Sequence, residues 1–199
     1  MATPVSVEPL RVLHVERSDE RSRVLMRALA MAGHRLLGQT RTVRALHDEV
    51  QRLHPDIVIV DTESPSAEMF FHVGVMSERI PLPVILFTDD DDPAKIRDAV
   101  RCGVTSYVVD GFGLERIEPI VRVAMARFER DQAVQSERDD ARAKLTERKL
   151  IERAKGILMR KRGMGEEEAY HALRRIAMDR NLRMSAVAER LISMSDLLS

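Results

Sequence analysis

The chain has 199 residues, and its 32 Lys and Arg balance its 32 Asp and Glu, so the formal net charge is zero. This length allows one ordinary domain with a smaller one, or one larger domain. No apolar run approaches the roughly 20 residues that would cross a membrane, and Met1 to Pro9 lack the features of a signal peptide. The single cysteine, Cys102, excludes an internal disulfide. These features predict a cytoplasmic protein.

Charge is unevenly distributed along the chain. Residues 1–113 carry 13 basic against 17 acidic side chains, residues 114–148 carry 8 against 8, and residues 149–183 carry 10 against 5. A basic C-terminal part indicates an anionic partner. A solvated basic helix surface is the alternative, and the charge counts do not separate the two.

Short strands and helices alternate over the first half of the chain. The strongest pattern is DIVIV at residues 56–60, a β-branched run typical of a strand covered on both faces. The predicted strands are 11–15, 35–39, 56–60, 84–87 and 106–109. The predicted helices are 19–33, 42–53, 66–79 and 93–101, the first with Ser18 as its cap. Such alternation predicts an α/β fold with a five-stranded parallel sheet.

Ligands bind parallel sheets at the carboxyl ends of the strands, where this chain places mainly polar residues. They are Glu16, Arg17, Asp61, Thr88, Asp89 and Asp110. The set resembles the phosphoacceptor site of response-regulator receiver domains, over residues 10 to about 128. The resemblance implies a flavodoxin-like (CheY-like) fold. It also implies that Asp61 stands at the phosphoacceptor position and Thr88 at the position of the phosphate-binding hydroxyl.

Two positions depart from the receiver pattern. Arg17 follows Glu16 where receivers usually have two acids, and Asp110 precedes Gly111 where they usually have Lys and Pro. A carboxylate in place of the ammonium group removes an attraction to the phosphate and adds a repulsion. Each of these interactions amounts to about 4 kcal/mol at a separation of about 4 Å and an effective dielectric of about 20. We therefore predict a pseudo-receiver. The alternative is a domain that still accepts phosphate on Asp61. No resident cofactor is expected, and Mg²⁺ would bind at Glu16 and Asp61 only if the site is active.

A long helical pattern follows the receiver-like part. Apolar residues recur at a spacing of three and four from Leu114 to Phe128, whereas residues 129–148 are almost entirely polar. A solvent-exposed connecting helix and a dimerising coiled coil both fit this pattern.

Three amphipathic segments complete the chain, at residues 149–163, 166–180 and 185–192. Gly163 is placed to end the first, three glutamates open the second, and Ser185 is placed to cap the third. Each segment is too short to be stable alone, which predicts a three-helix mini-bundle. The predicted organisation is a receiver-like domain at 10–128, a helical linker at 129–148 and a C-terminal domain at 149–199.

The run IERAKGILMRKRGMGEEEAYHALRRIAMDRN at residues 151–181 resembles the ANTAR domain, an RNA-binding antitermination module of bacterial response regulators. The whole chain is most similar to the NasT-type nitrate/nitrite-responsive antiterminators. That resemblance implies structured leader RNA as the ligand, nitrate/nitrite assimilation genes as the target, and a homodimer joined through the linker helix. It also implies a nitrate/nitrite-binding sensor protein as partner, or a histidine kinase if Asp61 is phosphorylated.

A basic surface attracts RNA and DNA alike. Gly163 to Gly165 could form the turn of a helix-turn-helix, but three glutamates at the start of the next helix would then face the DNA groove. Tyr170 can stack on an unpaired base or simply pack within the bundle. The predicted RNA-contacting residues are Lys149, Arg153, Lys155, Arg160, Lys161, Tyr170, Arg174 and Arg175.

Two other classes of function remain open from the sequence. One is a phosphorylation-activated, DNA-binding response regulator, and the other is a protein-interaction adaptor that binds no nucleic acid. An enzyme is not expected, because the six histidines are scattered and no catalytic arrangement of Ser, His and Asp is present.

Overall fold

The structure is a computed structural model that describes residues 9–15, 18–110 and 113–197. Glu16, Arg17 and Gly111 therefore lie outside the described residues. The described residues up to Asp131 form one compact unit, and those from Gln132 onward form a second. Within the described ranges, no helix has both the length and the apolar character that a membrane span requires.

The first unit is built on the predicted five-stranded parallel sheet, with strand order β2-β1-β3-β4-β5. The strands are β1 (Arg11–Val15), β2 (Arg35–Thr40), β3 (Ile57–Asp61), β4 (Val84–Thr88) and β5 (Ser106–Val109). Every residue of β3 and β4 is buried. Helices cover both faces of these central strands, which explains their nearly continuous apolar sequences.

Four helices connect the strands: α1 (Asp19–Met31), α2 (Leu46–Leu53), α3 (Ala67–Arg79) and α4 (Pro93–Arg101). Side-chain oxygens of Ser18, Ser66 and Asp92 accept hydrogen bonds from backbone N–H groups at the starts of α1, α3 and α4. The predicted helix 42–53 instead begins with a 3₁₀ turn at Val43–Ala45. There the Thr42 side chain accepts a hydrogen bond from the backbone N–H of Arg44.

Alternate residues of the strands feed two separate cores. Val58 and Val60 face a core completed by α2, α3 and α4, whereas Ile57 and Ile59 face a core completed by α1 and the start of α5. The sheet is thereby fixed on both sides, and the carboxyl ends of β1, β3, β4 and β5 lie along one edge.

The remaining helices are α5 (Leu114–Arg162), α6 (Glu166–Asp179) and α7 (Met184–Leu197). The predicted segment 149–163 forms the last part of α5. Gly163 follows the last residue of this helix and has φ +65°, as expected for a glycine cap. The end of α5 packs with α6 and α7 around a core that includes Ala154, Leu173 and Ala188. The prediction that Ser185 caps the last helix was wrong, because α7 already begins at Met184.

Candidate functional site

Asp61 lies at the carboxyl end of β3, where only 3% of the residue is exposed. Its Oδ2 accepts a hydrogen bond of 2.7 Å from Nε of Arg21, and another guanidinium nitrogen of Arg21 lies 3.9 Å from Oδ1 of Asp89. The second carboxylate oxygen of Asp61 is buried and has no hydrogen-bond partner among the described residues. The predicted phosphoacceptor position is therefore a buried carboxylate that is ion-paired with an arginine of α1.

Sequence reasoning missed Arg21, although a signal for it existed. Ser18 caps α1, so Arg21 lies in the first turn of a helix that leaves the carboxyl edge of the sheet. A long cation in that turn can reach the neighbouring strand ends. The sequence did not indicate whether Arg21 or Arg23 points toward the strand ends.

Thr88 lies at the end of β4 and is also buried. Its hydroxyl donates to the carbonyl oxygen of Glu63 at 2.8 Å and accepts from the backbone N–H of Asp90 at 3.2 Å. The hydroxyl at the predicted phosphate-binding position thus joins the loops that follow β3 and β4.

Asp110 follows β5 and is exposed. It adopts φ +48°, and its backbone N–H donates to the carbonyl oxygen of Thr88 at 3.2 Å. The structure therefore brings Asp61, Thr88 and Asp110 to one edge of the sheet. The other two predicted pocket residues, Glu16 and Arg17, lie outside the described residues.

A divalent cation at Asp61 would compete with Arg21 for the carboxylate. Mg²⁺ prefers several oxygen ligands in octahedral geometry, but one oxygen of Asp61 is already bound to the positive Arg21 guanidinium. In the described part of the chain, no group of three His, Cys, Asp or Glu side chains is placed to hold a metal ion. Arg21 thus places a positive charge beside Asp61.

A second polar network lies beside this site, around Asp90. Nζ of Lys95 lies 2.6 Å from both Oδ2 of Asp90 and Oγ of Ser64. The hydrogen bond from Lys95, followed by those from Ser64 and the Asp92 backbone, lowers the pKa of Asp90 from 3.8 to about 2. Tyr107 donates from its hydroxyl to the Asp90 carbonyl oxygen at 2.8 Å. The four consecutive aspartates at residues 89–92 thus form the loop after β4 and the start of α4.

In the second unit, two of the predicted RNA-contacting cations already have intramolecular partners. Lys155 is only 7% exposed, and its Nζ lies 2.9 Å from Oε1 of Glu152 and 2.8 Å from Oε1 of Glu166. The hydrogen bond to Glu166 is the largest cause that raises the pKa of Lys155. Arg153 is exposed but lies 3.1 Å from Oδ2 of Asp196 on α7. These two side chains join α5 to α6 and to α7.

The other predicted RNA-contacting residues are exposed: Lys149, Arg160, Lys161, Tyr170, Arg174 and Arg175. Tyr170 is 39% exposed, and its ring lies in a T-shaped arrangement with that of His171, with centroids 5.9 Å apart. The buried positions of α6 are instead Ala169, Leu173 and Ala177. Tyr170 therefore presents an aromatic surface outside the core of the bundle.

Gly156 lies within α5, and a glycine inside a helix can allow another helix or RNA to approach closely. A Cβ at this position would meet one flexible neighbour, an Arg160 nitrogen at 3.3 Å. No other helix of the described residues approaches it within 4 Å. The glycine is thus not required for packing within the bundle.

Comparisons with known proteins give separate matches for the C-terminal part of the chain and for its first unit. Residues 139–192 match the family described as ANTAR domain. Over 181 residues, the chain is 29% identical to the transcriptional regulatory protein PdtaR of Mycobacterium tuberculosis, covering 91% of this chain and 88% of the relative. A stretch of 53 residues is 53% identical to the nitrate regulatory protein of Klebsiella oxytoca, covering 27% of this chain and 13% of the relative.

The fold of the first unit also has solved counterparts. The chain resembles the signal receiver domain of a modulated diguanylate cyclase from Desulfovibrio desulfuricans G20, with a TM-score of 0.55 and 20% identity. That similarity covers 62% of this chain and 99% of the other. The first unit therefore has the fold of a signal receiver domain, and the C-terminal part of the chain matches the ANTAR family.

Proposed function

We propose that this protein is a transcription antiterminator that binds hairpins in leader mRNA through its ANTAR domain, under the control of its receiver-like domain. The ANTAR match at residues 139–192 carries this proposal. It coincides with the most basic part of the chain, where Arg160, Lys161 and Arg174 are exposed. Binding stabilises an RNA structure that prevents formation of a terminator.

The start of α6 favours RNA over duplex DNA. A recognition helix reads the major groove with its N-terminal residues, but α6 begins with Glu166, Glu167 and Glu168. Glu166 is held by Lys155, and the other two are exposed. Exposed Tyr170, by contrast, offers the kind of surface on which an unpaired base stacks.

The receiver-like domain acts in this proposal as a pseudo-receiver. The ion pair between Arg21 and Asp61 supports that role, because it neutralises the acceptor carboxylate without a metal ion. Control then comes from a partner protein that prefers one conformational state of the chain. We propose a nitrate/nitrite-binding sensor as the partner and nitrate/nitrite assimilation genes as targets. The stretch similar to the Klebsiella oxytoca nitrate regulatory protein supports that choice.

A homodimer through α5 completes the proposal. Residues 129–148 of this helix are almost entirely exposed, and they include Val134 at 51% and Leu145 at 59% exposure. A second copy in a coiled coil would cover these two side chains. We place this regulator in the cytoplasm, where leader transcripts are made.

Equilibrium binding tests the proposal directly. The purified protein is titrated with an RNA of two short hairpins with unpaired loop bases, and with a duplex DNA of equal length, each at several salt concentrations. A preference for the hairpins supports the proposal. Equal or tighter binding to the duplex would replace it with a DNA-binding response regulator, and salt-insensitive or absent binding to both would indicate a protein-interaction adaptor.

A further inference from the structure

A small apolar pocket of about 200 Å³ lies between the end of α5 and the end of α7. Its apolar walls are Ile157 and Leu158 of α5 and Leu191 and Met194 of α7. Ile157 also belongs to the core of the bundle and is only 6% exposed. The pocket is therefore an opening onto the core of the bundle.

Two cations, Lys161 and Arg162, form one rim of the pocket. Both are exposed, and neither has an ion pair with any described residue, unlike Arg153 and Lys155. Basic residues in the last turn are stabilised by the helix dipole. That effect explains their charge but not their position beside an apolar pocket.

Met194 lines the pocket from α7 and is 62% exposed, so part of its side chain is accessible to a ligand. A methionine side chain is flexible and polarisable, and its sulfur makes favourable contacts with aromatic rings. The wall is thus suited to a flat aromatic ligand. The pocket is smaller than the roughly 300–1,000 Å³ of typical small-molecule sites, which restricts such a ligand to about one ring system.

We propose that this pocket receives a single unpaired base of the RNA, while Lys161 and Arg162 contact the phosphates on either side of that base. An apolar pocket with two cations on one rim matches the chemistry of a nucleotide, in which a flat base is attached to an anionic backbone. This inference rests on the proposed function and adds a base-binding subsite between α5 and α7. The subsite is separate from Tyr170 on α6.

The test compares two substitutions of the same kind in the full-length protein. Met194→Glu places a carboxylate in the pocket wall. Met178→Glu changes an equally accessible methionine of α6, 71% exposed, which does not line the pocket. Because both variants add one negative charge to an exposed position of the same unit, their general electrostatic effect on RNA binding is matched. Circular dichroism checks that both are folded, and Met194→Leu tests for retention of the apolar wall.

The probe is an RNA of two short hairpins that carries 2-aminopurine at one loop position at a time. We expect one position to change its fluorescence on binding to the unmodified protein and to Met194→Leu. Met194→Glu should abolish that change and weaken binding by about tenfold or more relative to Met178→Glu, because the variant loses the contact with the base.

Three outcomes would overturn the inference. Equal binding by Met194→Glu and Met178→Glu would show that the pocket takes no base. A change of sedimentation in Met194→Glu, with no fluorescence change in the unmodified protein, would assign the pocket to an interface between two copies of the chain. If the unmodified protein does not prefer hairpins over duplex DNA, the proposed function fails first, and the inference fails with it.

Discussion

Arg21 of α1 and Asp61 of β3 form an ion pair of 2.7 Å at the carboxyl edge of the sheet. The Asp61 side chain is completely buried, whereas 27% of the Arg21 side chain is exposed. A buried carboxylate is stable only with a partner for its charge. The receiver-like domain provides this partner from its own first helix, at the place where a phosphorylated receiver would need a metal ion.

Replacement of Arg21 should therefore restore access to Asp61. We expect Arg21→Gln to bind Mg²⁺ and beryllofluoride more tightly than the unmodified protein, which should form little adduct. The same change should lower the free energy of unfolding by roughly 1–3 kcal/mol, because a buried acceptor loses its charged donor. Isothermal titration calorimetry and denaturant unfolding measure the two effects.

Arg23→Gln is the matched control, since Arg23 is an exposed arginine two residues further along α1. It should leave both properties unchanged. A stoichiometric aspartyl adduct in the unmodified protein that alters RNA binding would contradict the pseudo-receiver interpretation.

Lys155 and Lys161 should respond differently to substitution, although both lie on the basic part of α5. Lys155 is buried between Glu152 and Glu166, so Lys155→Gln should lower the thermal midpoint of the C-terminal unit and leave the salt dependence of RNA binding unchanged. Lys161→Gln should preserve the midpoint and reduce the slope of log K against log salt by about 0.7, the value for one lost phosphate contact. Fluorescence anisotropy at several salt concentrations separates the two. A slope reduced by the same amount in both variants would show that Lys155 contacts RNA, as predicted from the sequence.

Gly103 ends the helix before β5 with φ +92°, and a Cβ there would lie 2.9 Å from Cβ and Oγ of Ser77. Gly33 has a similar φ of +81° with no atom within 4 Å, so it measures the backbone cost alone. We expect Gly33→Ala to destabilise the protein by about 1–2 kcal/mol, and Gly103→Ala to cost more because Ser77 must also move. Urea denaturation determines both values. If the two costs are equal, the contact with Ser77 is relieved without penalty.

Acid should weaken the loop that follows β4. The pKa of Asp90 is about 2 in the folded protein, against an ordinary value of 3.8. A carboxyl group with a depressed pKa stabilises the fold above its unfolded pKa, and this contribution is lost as the pH falls through the folded pKa. Stability should therefore decrease between about pH 4 and pH 2. Lys95→Gln should flatten this decrease, whereas Lys144→Gln, at an exposed position of α5, should not. Denaturant midpoints at each pH provide the measurement, and an unchanged profile in Lys95→Gln would assign the acid sensitivity to other carboxyl groups.

The order and type of the secondary elements followed from sequence patterns alone. The runs that form β3 and β4 are apolar up to Asp61 and Thr88, because both faces of these strands are buried, and such short apolar runs favour strands. The C-terminal helices could also be predicted from the sequence, since their apolar positions keep helical spacing and Gly163 marks the end of α5. The sequence did not identify the first residue of α7, because Ser185 is a good helix cap but lies inside the helix, which begins at Met184.

Which charged side chains meet was decided by the tertiary structure. From the sequence, Lys155 is one of several cations on a basic helix, and its burial between two glutamates depends on where α6 packs. Likewise, Arg21 and Asp61 are 40 residues apart, and they meet because the sheet places the start of α1 beside the end of β3. The sequence by itself determined the helices and strands, because the conformational preference of each residue and the spacing of apolar residues act over a few neighbouring positions. The state of the acceptor site and the accessible part of the basic surface depend on contacts between distant segments, which only the folded chain brings together.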